Sequence, residues 1–178
     1  SDDGGTTWTT LSKIGASGFP VENIHEPHVV ESADGALVVQ FRYQPDNRWS
    51  DTPLLQCESA DGGKTWTALH EIGIMGFPPH LLRLKDGRLL TTYARRFVLN
   101  GPRPTGLGEF ACVSSDNGRT WDVAHEIKIA GCVEEDMGYP STCELDDGWM
   151  LTVYYQSPAP GEKPALMGTK WRLPPKGE

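Results

Sequence analysis

Short apolar segments alternate with turn residues along the whole chain, and the pattern recurs about every 50 residues. Residues 27–43, 79–95 and 140–156 each hold two apolar, β-branched or aromatic runs joined by Asp-Gly. Two such runs around Asp-Gly are a strong hairpin signal. A third run precedes the later copies of an S-x-D-x-G-x-T-W motif, and a fourth follows them at 66–72 and 121–127. The repeat therefore predicts four strands, named A to D.

The S-x-D-x-G-x-T-W motif occurs at 1–8, 59–66 and 114–121. Its aspartates can accept hydrogen bonds from turn amides, and its glycines can adopt positive φ angles. Its tryptophans can pack between adjacent sheets. Strand direction places every copy, like every Asp-Gly turn, at one end of the sheets, called the bottom. We interpret the motif as structural, joining strand C to strand D. The residues that carry it are Asp3, Asp61, Asp116, Gly5, Gly63, Gly118, Trp8, Trp66 and Trp121.

A repeated four-stranded unit of this length indicates an all-β fold, a β-propeller of antiparallel blades. We expect one propeller fragment over 1–178, with blades at approximately 25–72, 78–127 and 139–173. Strand D of a preceding or partner blade is expected at 8–13. Propellers close with about four to eight blades, so about three blades make half of a ring. The half belongs to a longer protein, or it pairs with a second copy through its edge strands.

The amino-acid composition and charge limit the classes of partner that the protein can bind. The 178 residues are 38% hydrophobic and 22% charged, and 20 Gly with 14 Pro suit short strands and turns. A net charge of −8 without a basic cluster argues against nucleic acid but leaves an anionic small molecule open. No apolar run is long enough for a membrane span, and no signal peptide is present, so the compartment is undecided. The four cysteines lack zinc-ligand spacing, and no metal site is expected.

The motif resembles the Asp box of sialidases (neuraminidases) and of related six-bladed propellers with bacterial neuraminidase repeats. The stretches GFPPHLLRLKDGRLLTTYARR, DMGYPSTCELDDGWMLTVYYQ and MGTKWRLP resemble bacterial exo-sialidases, so the chain looks like the C-terminal half of one. The resemblance implies an arginine triad for the sialic acid carboxylate, a tyrosine nucleophile, a glutamate base and an aspartate acid/base. It implies no cofactor, and members of this family are often secreted or periplasmic.

Three residues match that machinery. Glu26 begins a strand A, Arg42 ends the following strand B, and Tyr139 begins the last strand A. All three therefore lie at the top end of the sheets, away from the structural motifs. The resemblance implies that Glu26 is the base, Arg42 a triad arginine and Tyr139 the nucleophile. The alternatives are a solvated Glu-Arg pair and a packing tyrosine.

One position departs from the family. The third triad arginine lies at the start of strand C, and that place holds Phe110 here. Arg95, Arg96 or Arg103 can reach the same space, because the 96–109 loop also leaves the top end, and Arg95 is the candidate for substrate binding. Each can equally be an ordinary solvated side chain. The first triad arginine and the catalytic aspartate would belong to the other half of the propeller.

Other top-end residues are candidates for substrate binding. His28 and His80 occupy matching positions in strand A and serve either as ligand donors or as buried imidazoles. Asp136 precedes Tyr139 and is the acidic residue best placed to act on its phenol. Trp49 either stacks on a sugar ring or packs within its loop.

The favoured function is a sialidase-like glycoside hydrolase, or a fragment of one, acting on a sialylated or other acidic glycan. One alternative is a non-catalytic glycan-binding or interaction propeller that dimerises into a six-bladed ring. Another is a propeller glycosidase for a different acidic or deoxy sugar. No nucleic acid or membrane partner is expected. Only the missing half or a bound ligand distinguishes a sialidase from other glycosidases.

Overall fold

The computed structural model describes residues 1–45, 52–96 and 106–174, which form antiparallel sheets and two short 3₁₀ helices, Val21–Asn23 and Val123–His125. The first sheet is β1 (Ile24–Glu31), β2 (Leu37–Tyr43), β3 (Pro53–Ser59) and β4 (His70–Met75). The second is β5 (His80–Arg83), β6 (Leu89–Arg95), β7 (Gly108–Ser114) and β8 (Ile127–Gly131). The third is β9 (Met137–Glu144), β10 (Met150–Gln156) and β11 (Ala165–Trp171). Within each sheet the strands pair in chain order.

Each Asp-Gly pair lies in a tight turn that joins the first two strands of a sheet. In the first sheet, the Gly35 N–H donates to the Ser32 carbonyl at 3.1 Å, and the Ser32 N–H donates to the Ala36 carbonyl at 2.8 Å. Gly35 has a φ of 84°, so a three-residue loop with glycine in the left-handed region forms instead of a two-residue one. Gly87 and Gly148 make the matching turns in the other two sheets.

The S-x-D-x-G-x-T-W motif forms a closed network of hydrogen bonds, shown here for its second copy. Asp61 accepts from the Thr65 N–H at 2.9 Å and from the Thr65 hydroxyl at 2.6 Å. The Ser59 hydroxyl accepts from the Gly63 N–H at 2.9 Å and donates to Asp61 at 2.8 Å. Since these hydrogen bonds favour the carboxylate, they hold the pKa of Asp61 well below its usual range. The network fixes the turn and leaves the motif no free donor set for a ligand.

Strand D begins later than the sequence predicts. β4 starts at His70 and β8 at Ile127, several residues after the motif tryptophans. The indole of Trp66 donates to Ser12 at 2.9 Å, and that of Trp121 donates to Gln56 of the first sheet at 2.9 Å. After each motif, a backbone hydrogen bond of 2.9 Å still joins the chain to strand C, from Thr67 to Glu58 and from Asp122 to Val113, before strand D starts.

Residues 8–13 form no strand in the described chain, and the strand D of a preceding or partner blade expected there stays a prediction. A strand D pairs with the strand C of its own blade, and the described chain offers no such partner before this segment. The following residues instead cover the first sheet: Ile14 and Phe19 pack against its buried side chains. Trp8 is also 79% exposed, so it does not pack between two sheets.

The three sheets pack face to face and converge on their first strands. The main core lies between the first and second sheets and includes Val38, Leu54 and Tyr93. A smaller core lies between the second and third sheets around Leu90 and Met150. β1 contacts β5, and β5 contacts β9, so the inner strands line one axis. The starts of these inner strands and the ends of β2, β6 and β10 therefore meet at the top end.

Candidate active site

Two β-bulges shape the top end of the inner strands. In the first sheet, His25 pairs with Arg42 and His28 with Gln40, so Glu26 lies in a bulge opposite β2. Tyr139 occupies the same position of β9, between residues paired with Val153 and Tyr155. Their φ angles are 50° and 54°.

Positive φ angles are uncommon for residues other than glycine and indicate local strain. Glu26 and Tyr139 each precede a proline, which restricts their backbone further. Bulges redirect side chains and are frequent next to active sites. The strand order predicts both residues at the top end, but it does not predict the bulges. The recurring X-Pro pair, which is Pro78-Pro79 in the second sheet, was the available signal.

The bulges bring Tyr139 and Glu26 into direct contact, although 113 residues separate them. The Tyr139 hydroxyl donates to Glu26 Oε1 at 2.5 Å. Arg42 Nη1 donates to the two oxygens of Glu26 at 3.3 and 3.2 Å. Tyr139 is 52% exposed, so its side chain is accessible at the top end. Arg42, in contrast, is buried. The arrangement is an accessible phenol whose proton is held by a carboxylate that an arginine orients.

The environment keeps the Tyr139 phenol protonated at rest. The hydrogen bond to Glu26, partial burial and the negative charge of Glu26 raise the pKa of Tyr139, and the charges of Arg42 and Arg96 oppose that shift. A phenolate is therefore not preformed. Tyr139 becomes a strong nucleophile only as its proton passes to Glu26, which is already within hydrogen-bonding distance.

A cavity of about 220 Å³ opens beside this pair on the axis of the inner strands. It is lined by Glu26, Pro27, His28, Pro78, Pro79, His80, Tyr139 and Pro140. Half of these residues are prolines, and the other half carry ionisable side chains. The cavity can hold a small group next to the Tyr139 oxygen.

His28 and His80 form a pair in the cavity wall. Their ring centroids lie 4.4 Å apart, and the Leu81 N–H donates to His28 Nδ1 at 3.1 Å. His80 Nε2 lies 3.4 Å from the Ser141 hydroxyl. Burial lowers the pKa of His28, and burial together with the neighbouring His28 lowers the pKa of His80 to about 4. Both rings are therefore neutral near pH 7 and can exchange hydrogen bonds with an uncharged part of a ligand.

Replacing His80 with glutamine should make the free energy of unfolding less dependent on pH in the acidic range. The pKa of His80 is lowered from 6.5 to about 4 in the folded chain, so its contribution is complete above pH 6.5 and is lost as the pH falls toward 4. We expect the wild-type protein to lose roughly 1–2 kcal/mol more than the variant over that interval, because the half-exposed ring is partly screened by solvent. Urea unfolding at several pH values measures the difference. Replacing exposed His125 with glutamine is the control, and equal slopes in all three proteins would contradict the assignment.

A second polar network lies on the other side of Tyr139. Arg96 Nη2 donates to the Tyr155 hydroxyl at 3.2 Å, and that hydroxyl donates to Asp136 at 3.0 Å. The Tyr155 ring centroid is 6.1 Å from that of Tyr139, and the Arg96 guanidinium carbon is 6.0 Å from the Tyr139 ring. Asp136 thus reaches the site through Tyr155, without a recorded contact to the Tyr139 phenol.

Arg95 is buried and does not face the solvent at the top end, which corrects its assignment to substrate binding. Arg95 is fully buried, and its Nη2 donates to both oxygens of Glu126 at 2.8 and 2.9 Å. Its Nε donates to the Met75 carbonyl at 3.0 Å. Side chains alternate along a strand, so Arg95 faces the first sheet and Arg96 follows on the opposite side. Arg96 is the arginine that reaches the Tyr139 region.

The Phe110 side chain does not face the candidate site either. Its ring is fully buried in the core between the first two sheets, 4.2 Å from the Arg95 guanidinium carbon. The side chain at the expected position of the third triad arginine is therefore part of the fold. Trp49 and Arg103 lie outside the described residues.

Within the described ranges, no group of three or more His, Cys, Asp or Glu side chains could hold a metal ion. In the same ranges, no helix is long and apolar enough to cross a membrane.

Comparison with protein-family models matches residues 1–154 to the BNR repeat-like domain. The chain belongs to this family. The match includes the first sheet, which carries Glu26 and Arg42, and the strand that carries Tyr139. The BNR repeat-like assignment agrees with the repeat-based reading of the sequence, but it does not assign a substrate. A search of curated proteins gives no match.

Solved structures place the BNR repeat-like chain among propellers. A protein of unknown function from Dyadobacter fermentans is 29% identical, with a TM-score of 0.77, over 98% of this chain and 44% of its own. The Penicillium chrysogenum α-L-arabinanase is 19% identical, with a TM-score of 0.65, over 92% of this chain and 51% of its own. A Hadza microbial sialidase is 18% identical, with a TM-score of 0.62, over 97% of this chain and 39% of its own.

These likenesses confirm the predicted all-β fold of about half a propeller. The BNR repeat-like chain spans about half the length of the solved structures it matches, or less. Its neighbours include glycosidases that act on different sugars, so the fold alone does not select one of them.

Proposed function

We propose that the protein is a retaining glycoside hydrolase that removes terminal sialic acid from glycoconjugates, with Tyr139 as its nucleophile. The observation that carries the proposal is the hydrogen bond from the Tyr139 hydroxyl to Glu26. A phenol needs an adjacent base to attack at neutral pH, and a nucleophile bonded to a base that a third group orients is the usual sign of covalent catalysis. Arg42 is that third group.

In the first step, the Tyr139 oxygen attacks the anomeric carbon and its proton moves to Glu26 Oε1. The bond from the anomeric carbon to the leaving oxygen breaks, and that oxygen takes a proton from an acid supplied by another part of the propeller. In the second step, water attacks the same carbon and gives one proton to the group that acted as the acid, the bond to Tyr139 breaks, and Glu26 returns its proton to the phenol. Two displacements retain the configuration of the sugar.

A neutral nucleophile favours an acidic sugar as the substrate. The anomeric carbon of a sialoside bears a carboxylate, which would repel an ionised Asp or Glu nucleophile at the same carbon. A phenol that loses its proton only during attack avoids that repulsion. Arg42 and Arg96 supply positive charge on the two sides of Tyr139, and we assign the substrate carboxylate to Arg42.

A panel of fluorogenic substrates tests the proposal on the protein at its full native length. The panel contains an α-sialoside, a glucuronide, an α-L-arabinofuranoside and a β-xyloside, each with the same fluorescent leaving group. We expect the sialoside alone to be hydrolysed. Hydrolysis of the glucuronide alone would favour another acidic sugar, a possibility that the buried Phe110 at the expected arginine position supports. Hydrolysis of a neutral pentoside alone, or of none of the four, would contradict the proposal.

A further inference from the structure

Glu109 is a fully buried carboxyl group that the proposed mechanism does not use. It lies on β7, opposite Ala94 of β6 and Ala130 of β8, and is 0% exposed. The matching residue of the first sheet is Leu54, since each lies five residues before the motif serine, and Leu54 is 1% exposed. The second sheet therefore has an acid where its neighbour has an ordinary core leucine.

Neither carboxyl oxygen of Glu109 has a hydrogen-bond partner among the described residues. Burying an ionised carboxylate without a partner is strongly unfavourable, so the neutral acid is the form that this environment accepts. Burial raises the pKa of Glu109 to about 8, while the positive charge of Arg96 acts in the opposite direction. Glu109 therefore changes charge close to neutral pH.

Arg96 connects Glu109 to the candidate site. Ala94, the strand partner of Glu109, and the Arg96 guanidinium both lie against Gly138, the residue before Tyr139. A Cβ atom on Gly138 would lie 3.0 Å from the Ala94 Cβ and 2.9 Å from Arg96 Nη2. Arg96 therefore donates to the Tyr155 hydroxyl while its positive charge also acts on Glu109.

Several other charged or titratable residues lie on the strands around this position or next to them. Those of the described residues are Tyr93, Arg95 and Arg96 on or after β6, Cys112 on β7, Lys128 on β8, Cys132, Glu134, Glu135 and Asp136 before β9, Tyr139, Cys143 and Glu144 on β9, and Tyr154 and Tyr155 on β10. The Arg95 and Glu126 pair belongs to the opposite face of β6, in contact with Phe110 and the first sheet. Arg96 is the positive charge that acts on Glu109.

We propose that Glu109 is a positioning residue that controls where the Arg96 guanidinium points. As a neutral acid, Glu109 leaves Arg96 bonded to the Tyr155 hydroxyl beside Tyr139. As a carboxylate, Glu109 draws the guanidinium down toward the interface of the second and third sheets. The positive charge near Tyr139 then decreases, and the affinity of the site for an anionic ligand falls. The movement does not depend on the proposed function, whereas its effect on catalysis rests on it.

NMR of protein labelled with ¹³C at the tyrosine Cζ atoms tests the movement between pH 6 and 10. Removing the Arg96 hydrogen bond changes the Tyr155 Cζ resonance, which is assigned with Tyr155→Phe. Burial, with the hydrogen bond to Asp136, raises the pKa of Tyr155 above its ordinary value of 10, so its own ionisation is centred above the range. We expect a step with a midpoint near pH 8 in the wild-type protein and no step in Glu109→Gln.

Two outcomes would overturn the inference: the same step in Glu109→Gln, or no step in the wild-type protein. Glu109→Leu copies the residue of the first sheet and replaces the glutamine variant if that variant fails to fold. If the sialoside is a substrate, its KM should rise at least several-fold above pH 8 in the wild-type protein but not in Glu109→Gln. An NMR step without any hydrolysis would contradict the proposed function and leave the movement of Arg96 established.

Discussion

Replacing Tyr139 with phenylalanine should abolish sialoside hydrolysis while leaving the fold unchanged. The substitution removes one oxygen from a side chain that is 52% exposed, so it opens no cavity in a core. It also removes the proposed nucleophile, and loss of a nucleophile typically lowers kcat by about 10⁴-fold or more. The expected result is a decrease of that order in kcat with an unchanged circular dichroism spectrum.

Tyr154 provides the matched control for that experiment. Its hydroxyl lies 2.7 Å from the Thr169 hydroxyl, and its buried ring has no recorded contact with Glu26. Tyr154→Phe should therefore keep most of the activity. Glu26→Gln keeps the shape of the base but cannot take the proton, so it should resemble Tyr139→Phe. A Tyr139→Phe variant with more than about a tenth of the wild-type kcat would rule out the phenol as nucleophile.

Replacing Glu126 with glutamine should cause a large loss of stability, because it leaves the Arg95 charge buried without its counterion. Both side chains are fully buried, and Arg95 Nη2 lies 2.8 Å from Glu126 Oε1. Removing one partner of a buried pair destabilises proteins by about 3–5 kcal/mol. Glu126 also accepts a hydrogen bond from the Tyr93 hydroxyl, which loses part of its partner in the variant. Urea unfolding at pH 7 measures the change.

The double variant Arg95→Met with Glu126→Leu separates the loss of the pair from the creation of an unpaired charge. Apolar residues of similar volume often replace a buried ion pair with little loss of stability. We therefore expect the double variant to be more stable than Glu126→Gln. Asp147→Asn, which removes the surface pair with Lys170 at 3.0 Å, should have little effect. A Glu126→Gln variant as stable as the wild-type protein would show that the pair does not support the sheet interface.

The order of strands was predictable because it depends on patterns that repeat. Asp-Gly between apolar runs specifies a hairpin in any context, so three copies locate three pairs of inner strands. Chain direction then places Glu26, Arg42 and Tyr139 at one end without any knowledge of packing. The hydrogen bond between Glu26 and Tyr139 follows from that placement only because two bulges turn both side chains toward each other.

The choice between Arg95 and Arg96 was not predictable from the sequence. Adjacent residues of a strand face opposite sides, and which side faces the neighbouring sheet depends on the register between β6 and β7. The sequence shows two arginines in a row and does not reveal which one meets Glu126. The burial of Glu109 was not predictable for a related reason. In the sequence, a single acidic residue at the start of a strand looks like an ordinary solvated residue.

Covalent trapping of the enzyme tests the role of Tyr139 most directly. A sialosyl fluoride with a second fluorine beside the anomeric carbon should form the glycosyl-enzyme readily and release it slowly, because fluorine disfavours the positive charge of the transition state and fluoride is a good leaving group. Intact mass followed by peptide mapping of the protein at its native length locates the adduct. We predict one adduct, on the peptide that contains Tyr139 and on its phenolic oxygen. Turnover of the sialoside with no adduct at Tyr139, or with the adduct on another residue, would contradict the account.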